Sequence, residues 1–171
     1  MDRPLRVHFI HGLESNPQGS KALFFAAHFD ATTPSMDTRD LEGAIATQAA
    51  ALHTAIAAGR GPDVLVGSSF GGAIAVALLA RNLWRGPTLL LAQAADKLGI
   101  HDPLPEGVPV TLVHGVHDTI VPVEDSRALA RTGSPELVVL EEVDDEHRLA
   151  TLVDSGRLAE LVRALHARAT G

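Results

Sequence analysis

The sequence predicts a three-layer α/β fold, in which a sheet of about six mostly parallel strands carries helices on both faces. Short apolar runs alternate along the chain with segments of helical periodicity, which is the pattern of repeated strand–helix units. The runs are continuously apolar and lack alternating polar residues, as is typical of parallel strands that are buried on both faces. The connections are short, so right-handed crossovers are expected to produce a doubly wound sheet.

Six strands are expected at the short apolar runs. The run near residue 65 closes at Gly67, and the first run is followed by His11 and Gly12, so both end at loop signals. The second run is weaker than the others and is ended by Pro34. The predicted strands are 5–10, 29–33, 63–66, 88–92, 108–114 and 136–140.

Five helices are expected between and after these strands. Ile45, Ala49, Leu52 and Ile56 recur at helical spacing, which predicts a helix that buries one stripe. The segment 70–83 is apolar almost all round, which indicates a helix buried against the sheet. The predicted helices are 20–28, 41–58, 70–83, 125–131 and a C-terminal segment after Gly156.

The length of 171 residues fits one domain, and we expect residues 1–171 to form a single unit. No internal repeat, low-complexity segment or linker divides the chain. The least regular region is 94–107, which contains Pro103 and Pro105. This region is predicted to form a short cap over a site.

Charge and composition exclude several classes of protein. The net charge is −7 with no basic block, which argues against a nucleic-acid partner because phosphate binding needs clustered Lys and Arg. There are no cysteines for disulfides or thiolate metal sites, and the histidines lack the H-x-x-x-H spacing of zinc sites. No apolar stretch approaches the roughly 20 residues of a membrane-spanning helix, and the run 7–10 is too short for a signal-peptide core. We expect a cytoplasmic protein that needs neither a metal nor an organic cofactor; its oligomeric state stays open.

The sequence G-S-S-F-G-G at 67–72 joins a predicted buried strand to the apolar helix. In that context its G-x-S-x-G pattern is typical of a nucleophile elbow. The tip of so tight a turn has a strained backbone, and side chains two positions to either side would collide, which Gly67 and Gly71 avoid. Ser69 would then stand at the helix N-terminus, where the dipole and free N–H groups favour developing negative charge. Ser69 is therefore the predicted nucleophile.

A serine nucleophile needs a base, and the base needs an orienting acid. Active-site groups of open α/β sheets gather at the carboxyl ends of the strands, and in this type of fold the chain order is Ser, acid, His. Asp118 follows the strand 108–114, and His147 follows the strand 136–140. They are the predicted acid and base.

Other carboxylates compete with Asp118 for the role of the acid. Asp96 follows the strand 88–92, a position from which some hydrolases take their acid, and this alternative stays open. Asp144 and Asp145 are close to His147 in sequence, but that proximity does not aim a carboxylate at its Nδ1 atom. We interpret these two residues as solvated loop charges.

Two backbone N–H groups are expected to form an oxyanion hole. One belongs to Phe70, the residue after the predicted nucleophile. The other is expected in the loop after the first strand, where His11, Gly12 and Leu13 stand. The glycine lets the backbone approach a substrate closely, and the Leu13 N–H is the candidate donor.

The assembled residues resemble the α/β-hydrolase superfamily over nearly the whole chain. The segment H-G-L-E-S-N-P-Q-G-S-K-A at 11–22 is similar to the H-G-F-x-S-S-P-x-S-x-K-A opening of the small YqiA-like esterases, and 67–72 is similar to their G-S-S-L-G-G elbow. The resemblance implies a compact hydrolase of carboxylic esters, with little or no cap and without the first two strands of larger hydrolases. By position, Ser69, Asp118 and His147 correspond to its triad. Leu13 stands where Phe is usual and Glu14 follows it, which alters the expected pocket shape.

The expected activity is hydrolysis of small or short-acyl esters through an acyl-enzyme on Ser69. Thioesterases and amidases use the same triad and stay as alternatives. A different alternative is a non-catalytic module of the same fold that binds a ligand or a partner protein, keeping the elbow for packing but losing the triad geometry. A dehalogenase is disfavoured, because that chemistry needs a carboxylate where this chain has serine.

Overall fold

The centre of the protein is a six-stranded sheet, described together with its helices by a computed structural model of residues 3–13 and 16–171. The strands are β1 (Arg6–Ile10), β2 (Asp30–Thr32), β3 (Val64–Ser68), β4 (Thr88–Leu91), β5 (Val110–Gly115) and β6 (Val138–Val143). In space they lie in the order β2-β1-β3-β4-β5-β6, and all neighbouring pairs are parallel. The predicted three-layer α/β fold is thus confirmed, with a sheet that is parallel throughout.

Helices cover both faces of this sheet. They are α1 (Ser20–His28), α2 (Leu41–Ala57), α3 (Phe70–Ala80), α4 (Val123–Ala130), α5 (Ala150–Asp154) and α6 (Arg157–Thr170), with a 3-10 turn at Asp96–Leu98. The core on one face is built with α2, α3 and α4, and the core on the other face with α1, α5 and α6. Among residues 3–13 and 16–171, no helix has both the length and the apolar character needed to cross a membrane.

The central strands are buried on both faces, as their continuously apolar sequences predicted. In β3, Leu65 faces the core of α2 and α3, whereas Val64 and Val66 face the core of α1 and α6. All three side chains are fully buried. The cores therefore fix the position of the loop that follows β3.

The edge strand β6 differs from its prediction, since it extends to Val143 instead of ending at residue 140. Its later part contains Glu141 and Glu142, which interrupt the apolar run. An edge strand can keep such residues half-exposed, and here their carboxylates pair with Arg157 and Arg127. A rule based on apolar runs therefore places the end of this strand too early.

The helix α2 buries a different stripe from the predicted one. Ile45 and Leu52 are buried as expected, but Ile56 is 52% exposed and Gln48 is fully buried. The Gln48 side chain is accommodated because its Oε1 lies 2.6 Å from Nε2 of the buried His8 on β1. Burial raises the cost of the charged form and lowers the pKa of His8.

The single tryptophan lies at the amino edge of the sheet, that is, at the side where the parallel strands begin. Trp84 lies between α3 and β4, is almost fully buried, and donates its Nε1–H to Thr88 Oγ1 at 3.0 Å. Because α3 runs back across the sheet from the elbow, this junction lies at the opposite edge from Ser69. The carboxyl edge, where the strands end, carries the predicted site residues.

Candidate active site

The turn between β3 and α3 holds Ser69 in a conformation that L-residues rarely adopt, with φ of 54° and ψ of −112°. A Cβ atom on Gly71 would lie 2.0 Å from the carbonyl oxygen of Ile10, and one on Gly67 would lie 2.4 Å from the Gly71 oxygen. Both contacts are with backbone and could not be relieved by a rotamer change. The turn therefore has the close packing that makes glycine necessary two positions before and after the serine.

Ser69, His147 and Asp118 form one continuous hydrogen-bonded chain. The Ser69 Oγ lies 2.9 Å from His147 Nε2, and His147 Nδ1 lies 2.7 Å from Asp118 Oδ2. The carboxylate only accepts, so Nδ1 carries the proton, and Nε2 is free to accept the Ser69 O–H. The structure thus brings together the three residues predicted as nucleophile, base and acid.

Asp118 is held by both of its carboxylate oxygens, and its side chain is fully buried. The N–H groups of Ile120 and Val121 donate to Oδ1 at 2.8 and 2.9 Å, while His147 occupies Oδ2. Burial acts to raise the pKa of Asp118, but the hydrogen bonds from Val121, His147 and Ile120 outweigh it and hold the pKa below its ordinary value. The group is therefore ionised wherever a histidine titrates.

The loop that carries His147 is anchored from two other elements. Lys21 on α1 donates its Nζ–H to the carbonyl of Arg148 at 2.6 Å, next to the imidazole. The N–H of His117 donates to the Asp145 carbonyl at 3.1 Å, which ties the loop after β6 to the loop after β5. Burial and the nearby Arg148 charge lower the pKa of Lys21, with Asp145 acting in the opposite direction.

The loop after β1 lies beside Ser69. A Cβ atom on Gly12 would lie 3.5 Å from Ser69 Cβ, so this backbone passes close to the Ser69 side chain. Among residues 3–13 and 16–171, neither the Phe70 N–H nor the Leu13 N–H has an acceptor. His11 is buried and directs Nδ1 to the Gly12 carbonyl at 2.9 Å. Glu14 and Ser15 of the opening segment lie outside the described residues.

The competing carboxylates have other partners. Asp96 lies in the 3-10 turn and contacts His101 Nδ1 at 3.0 Å, and Asp144 contacts His117 Nε2 at 2.7 Å. Asp145 accepts from the Thr151 N–H at 3.0 Å and from its hydroxyl, so it caps the start of α5 and is not a solvated loop charge. In the described part of the chain, only Asp118 among these four contacts His147.

Two residues near the site were missed from the sequence. Lys21 stands in the segment 11–22, and that position is the signal that could have identified it. His114 is a histidine inside a fully buried strand, β5, and a polar residue in such a run indicates a required partner.

The described residues contain no cluster of side chains suited to a metal ion. No group of three or more His, Asp or Glu side chains within residues 3–13 and 16–171 is arranged to hold a metal ion. The chemistry available at this edge of the sheet is that of a hydroxyl, an imidazole and a carboxylate in series, with free N–H groups beside them.

Solved structures share this fold over nearly their full length. A protein of Xanthomonas campestris pv. campestris assigned to the α/β hydrolase superfamily is 26% identical, with a TM-score of 0.66, over 95% of this chain and 99% of that one. Mouse α/β hydrolase domain-containing protein 10 is 20% identical, with a TM-score of 0.72, over 95% and 90%. The esterase domain of a Rhodothermus marinus protein is 16% identical, with a TM-score of 0.70, over 99% and 92%. The fold is therefore the α/β-hydrolase fold.

Sequence comparison adds a family. No curated protein matches the chain significantly. The sequence model of an uncharacterised protein family, UPF0227, matches residues 6–96, which include the loop after β1 and the elbow with Ser69 but not Asp118 or His147. Because this match spans more than half of the 171 residues, the chain belongs to family UPF0227.

Proposed function

We propose that this protein is a serine hydrolase that cleaves carboxylic esters through an acyl-enzyme. The observation that carries the proposal is the relay from Ser69 Oγ to His147 Nε2 at 2.9 Å and from His147 Nδ1 to Asp118 Oδ2 at 2.7 Å. Serine is a weak nucleophile at neutral pH, and this arrangement supplies the base and the orienting acid that it needs.

In the first half of the reaction, His147 accepts the Ser69 proton while Oγ attacks the ester carbonyl. Asp118 holds the imidazole and stabilises its charged form. The negative charge that develops on the carbonyl oxygen is received by the N–H groups of Phe70 and Leu13. His147 then gives its proton to the leaving alcohol, which departs and leaves an acyl group on Ser69.

In the second half, water takes the place of the alcohol. His147 removes a proton from the water, the resulting hydroxide attacks the acyl carbonyl, and the same N–H groups hold the oxyanion. Proton return from His147 to Ser69 releases the carboxylic acid. No step requires a group other than those of the chain, the ester and water.

Small or short-acyl esters are the proposed substrates. The region 94–107, proposed as the cap, contains only one 3-10 turn, Asp96–Leu98, so little structure is available to enclose a long acyl chain. Leu13 and Ile120, from the loops after β1 and β5, are more than half exposed and offer apolar contacts at the surface. Several structural neighbours are esterases, which favours esters over thioesters and amides.

A fluorophosphonate probe and p-nitrophenyl acetate test the proposal together. Wild-type protein should be labelled at Ser69 and should hydrolyse the ester, because both reactions need an activated serine. Ser69→Ala should abolish labelling and lower turnover by at least about 1,000-fold, since the nucleophile is lost.

The matched control is Ser68→Ala, which removes the neighbouring hydroxyl of the same turn and should keep both activities. Folded wild-type protein that takes no label would contradict the proposal and would favour a non-catalytic binding module. A panel of acetyl, butyryl and octanoyl p-nitrophenyl esters with matched thioesters and anilides would identify the substrate class. The highest kcat/KM is expected for the acetyl ester.

A further inference from the structure

A buried polar chain runs from the region 94–107 to the triad acid. Gln93 Oε1 accepts the Ala95 N–H at 2.8 Å, and Gln93 Nε2 lies 3.1 Å from Ser126 Oγ on α4. Ser126 Oγ lies 2.8 Å from Nδ1 of His114, the penultimate residue of β5. The side chains of Gln93, Ser126 and His114 are all buried, with at most 1% exposure.

The other ring nitrogen of His114 faces the triad. Its Nε2 lies 2.9 Å from the Val121 carbonyl oxygen and 3.0 Å from Asp118 Oδ2. That carboxylate oxygen is the one that also contacts His147. His114 and His147 therefore approach the same atom of Asp118 from two sides.

The partners fix the tautomer of His114. Both atoms that face Nε2 are acceptors, so Nε2 carries a proton. The Ala95 N–H fixes the orientation of the Gln93 amide, whose NH₂ then donates to Ser126. The Ser126 hydroxyl is left to donate to Nδ1, which must be unprotonated for every polar atom of the chain to have a partner. The hydrogen-bond pattern thus places a proton of His114 on Nε2 and leaves Nδ1 as the acceptor.

We propose that His114 is a positioning residue for the triad, an inference that rests on the proposed function. Its Nε2–H donates to the carbonyl of Val121, whose own N–H holds Asp118 Oδ1, and the positive end of the Nε2–H dipole lies close to Oδ2 and offsets part of its negative charge. The Asp118 carboxylate is thereby kept in the orientation in which it contacts His147 Nδ1. Its electrostatic attraction for the protonated imidazole of His147 is weakened at the same time. His147 then returns its proton more easily when the leaving group needs it.

The charges around His114 are carboxylates on three sides. They are Asp118 in the following loop, Asp125 on α4 and Glu142 on the neighbouring strand β6. Burial and Asp96 raise the pKa of Asp125, whereas the Arg127 guanidinium holds the pKa of Glu142 below its usual range. These three carboxylates are the same in wild type and in the His114 variants. A shift of the pH profile between them is therefore attributed to the loss of the imidazole.

His114→Leu and His114→Gln separate positioning from packing. Leucine removes the N–H dipole that lies beside Oδ2, so the carboxylate should stabilise the imidazolium of His147 more strongly, and the acidic limb of kcat/KM should move to higher pH. We expect kcat for p-nitrophenyl acetate to fall about 10-fold with little change in KM, because the relay is misoriented. Glutamine places an amide N–H near the position of Nε2 and should recover most of the rate and the wild-type profile.

The matched control is His8→Leu, which removes another buried histidine that contacts Gln48 on the α2 side. It should lower stability without moving kcat or the acidic limb. A His114→Leu protein with the wild-type kcat and pH profile would overturn the inference. If Ser69 of that variant is still labelled by the fluorophosphonate, the proposed function stands and only the role of His114 is refuted. A wild-type protein that takes no label would instead refute the proposed function itself.

A measurement on the unmodified protein covers the case in which His114→Leu does not fold. Long-range ¹H–¹⁵N spectra report which ring nitrogen of a histidine is protonated. In the folded protein His114 should show the Nε2–H tautomer. The Nδ1–H tautomer would contradict the inference.

Discussion

Ser69 has a backbone conformation that costs on the order of 1–3 kcal/mol for an L-residue, and its neighbours maintain it. Its N–H donates to the Leu91 carbonyl at 2.9 Å, and its carbonyl accepts from the N–H groups of Ala73 and Ala94, each at 3.1 Å. The local strain is therefore supported by β4 and by the first turn of α3. This conformation places the Ser69 hydroxyl above the end of the sheet, within hydrogen-bonding distance of His147.

Replacing Ser69 with glycine and with alanine should separate this strain from catalysis. Both variants lose the hydroxyl and the activity, but only glycine adopts a φ of 54° without strain. The larger entropy that glycine loses on folding offsets part of this gain, so Ser69→Gly is expected to be more stable than Ser69→Ala by about 1 kcal/mol. Urea unfolding of the two variants gives the comparison, and equal or reversed stabilities would show that the turn is not strained.

At the scale of elements, the loops after β5 and β6 interlock through backbone. A Cβ atom on Gly115 would lie 2.3 Å from the Asp145 carbonyl oxygen and 2.8 Å from that of Glu146. The loop that carries His147 is therefore seated directly on the end of β5, the strand that leads to Asp118. Glycine at this position therefore lets Asp118 and His147 approach closely enough for their contact of 2.7 Å.

Gly115→Ala should consequently impair catalysis more than folding. The methyl group displaces the loop after β6 and lengthens the contacts of His147, so kcat for p-nitrophenyl acetate is expected to fall about 100-fold. Gly107→Ala is the control: Gly107 has φ of +76° and nothing within 4 Å of an added Cβ, so it should cost about 1 kcal/mol of stability without affecting kcat. Equal losses of kcat in the two variants would refute this assignment.

At the scale of the whole molecule, the two edges of the sheet have separate tasks. The carboxyl edge carries the proposed chemistry, and the amino edge holds strands together. There, Arg3 donates to both oxygens of Asp63 at 2.7 and 2.8 Å, and the Arg6 N–H donates to Asp63 Oδ2 at 2.7 Å. The Arg3 guanidinium holds the pKa of Asp63 below its usual range; burial opposes this, and the Arg6 N–H adds to it.

This arrangement gives a pH dependence of stability with a definite sign. A carboxyl whose pKa is lower in the folded than in the unfolded state stabilises the fold above its ordinary value, and that contribution is lost as pH falls through the folded value. Asp63→Asn should lower the free energy of unfolding at neutral pH and flatten its fall below about pH 4. Urea titrations at a series of pH values test this, with Asp154→Asn, an exposed residue of α5, expected to keep the wild-type slope. A parallel decline in wild type and Asp63→Asn would contradict it.

The parts of the fold that depend on local pattern could be predicted from the sequence, and the parts that depend on partners could not. Buried parallel strands have continuous apolar runs, so the sheet and the elbow at Ser69 were predictable. The half-exposed end of β6 and the burial of Gln48 depend on ion pairs and on His8, which no periodicity reveals. Position along the chain predicted Asp118 as the acid but left Asp96 open, because only three-dimensional geometry shows which carboxylate contacts the imidazole.

The position of Trp84 determines what the intrinsic fluorescence of the protein can report. The chain contains no tyrosine, so this one indole is its only strong intrinsic fluorophore. It is buried where the strands begin, against Thr88, whereas Ser69, Asp118 and His147 lie where the strands end. The fluorescence of Trp84 will therefore change when the whole core unfolds but will not change when only the loop around His147 opens. Inactivation that precedes the fluorescence change during heating would then measure how loosely the loop after β6 is attached to the rest of the molecule.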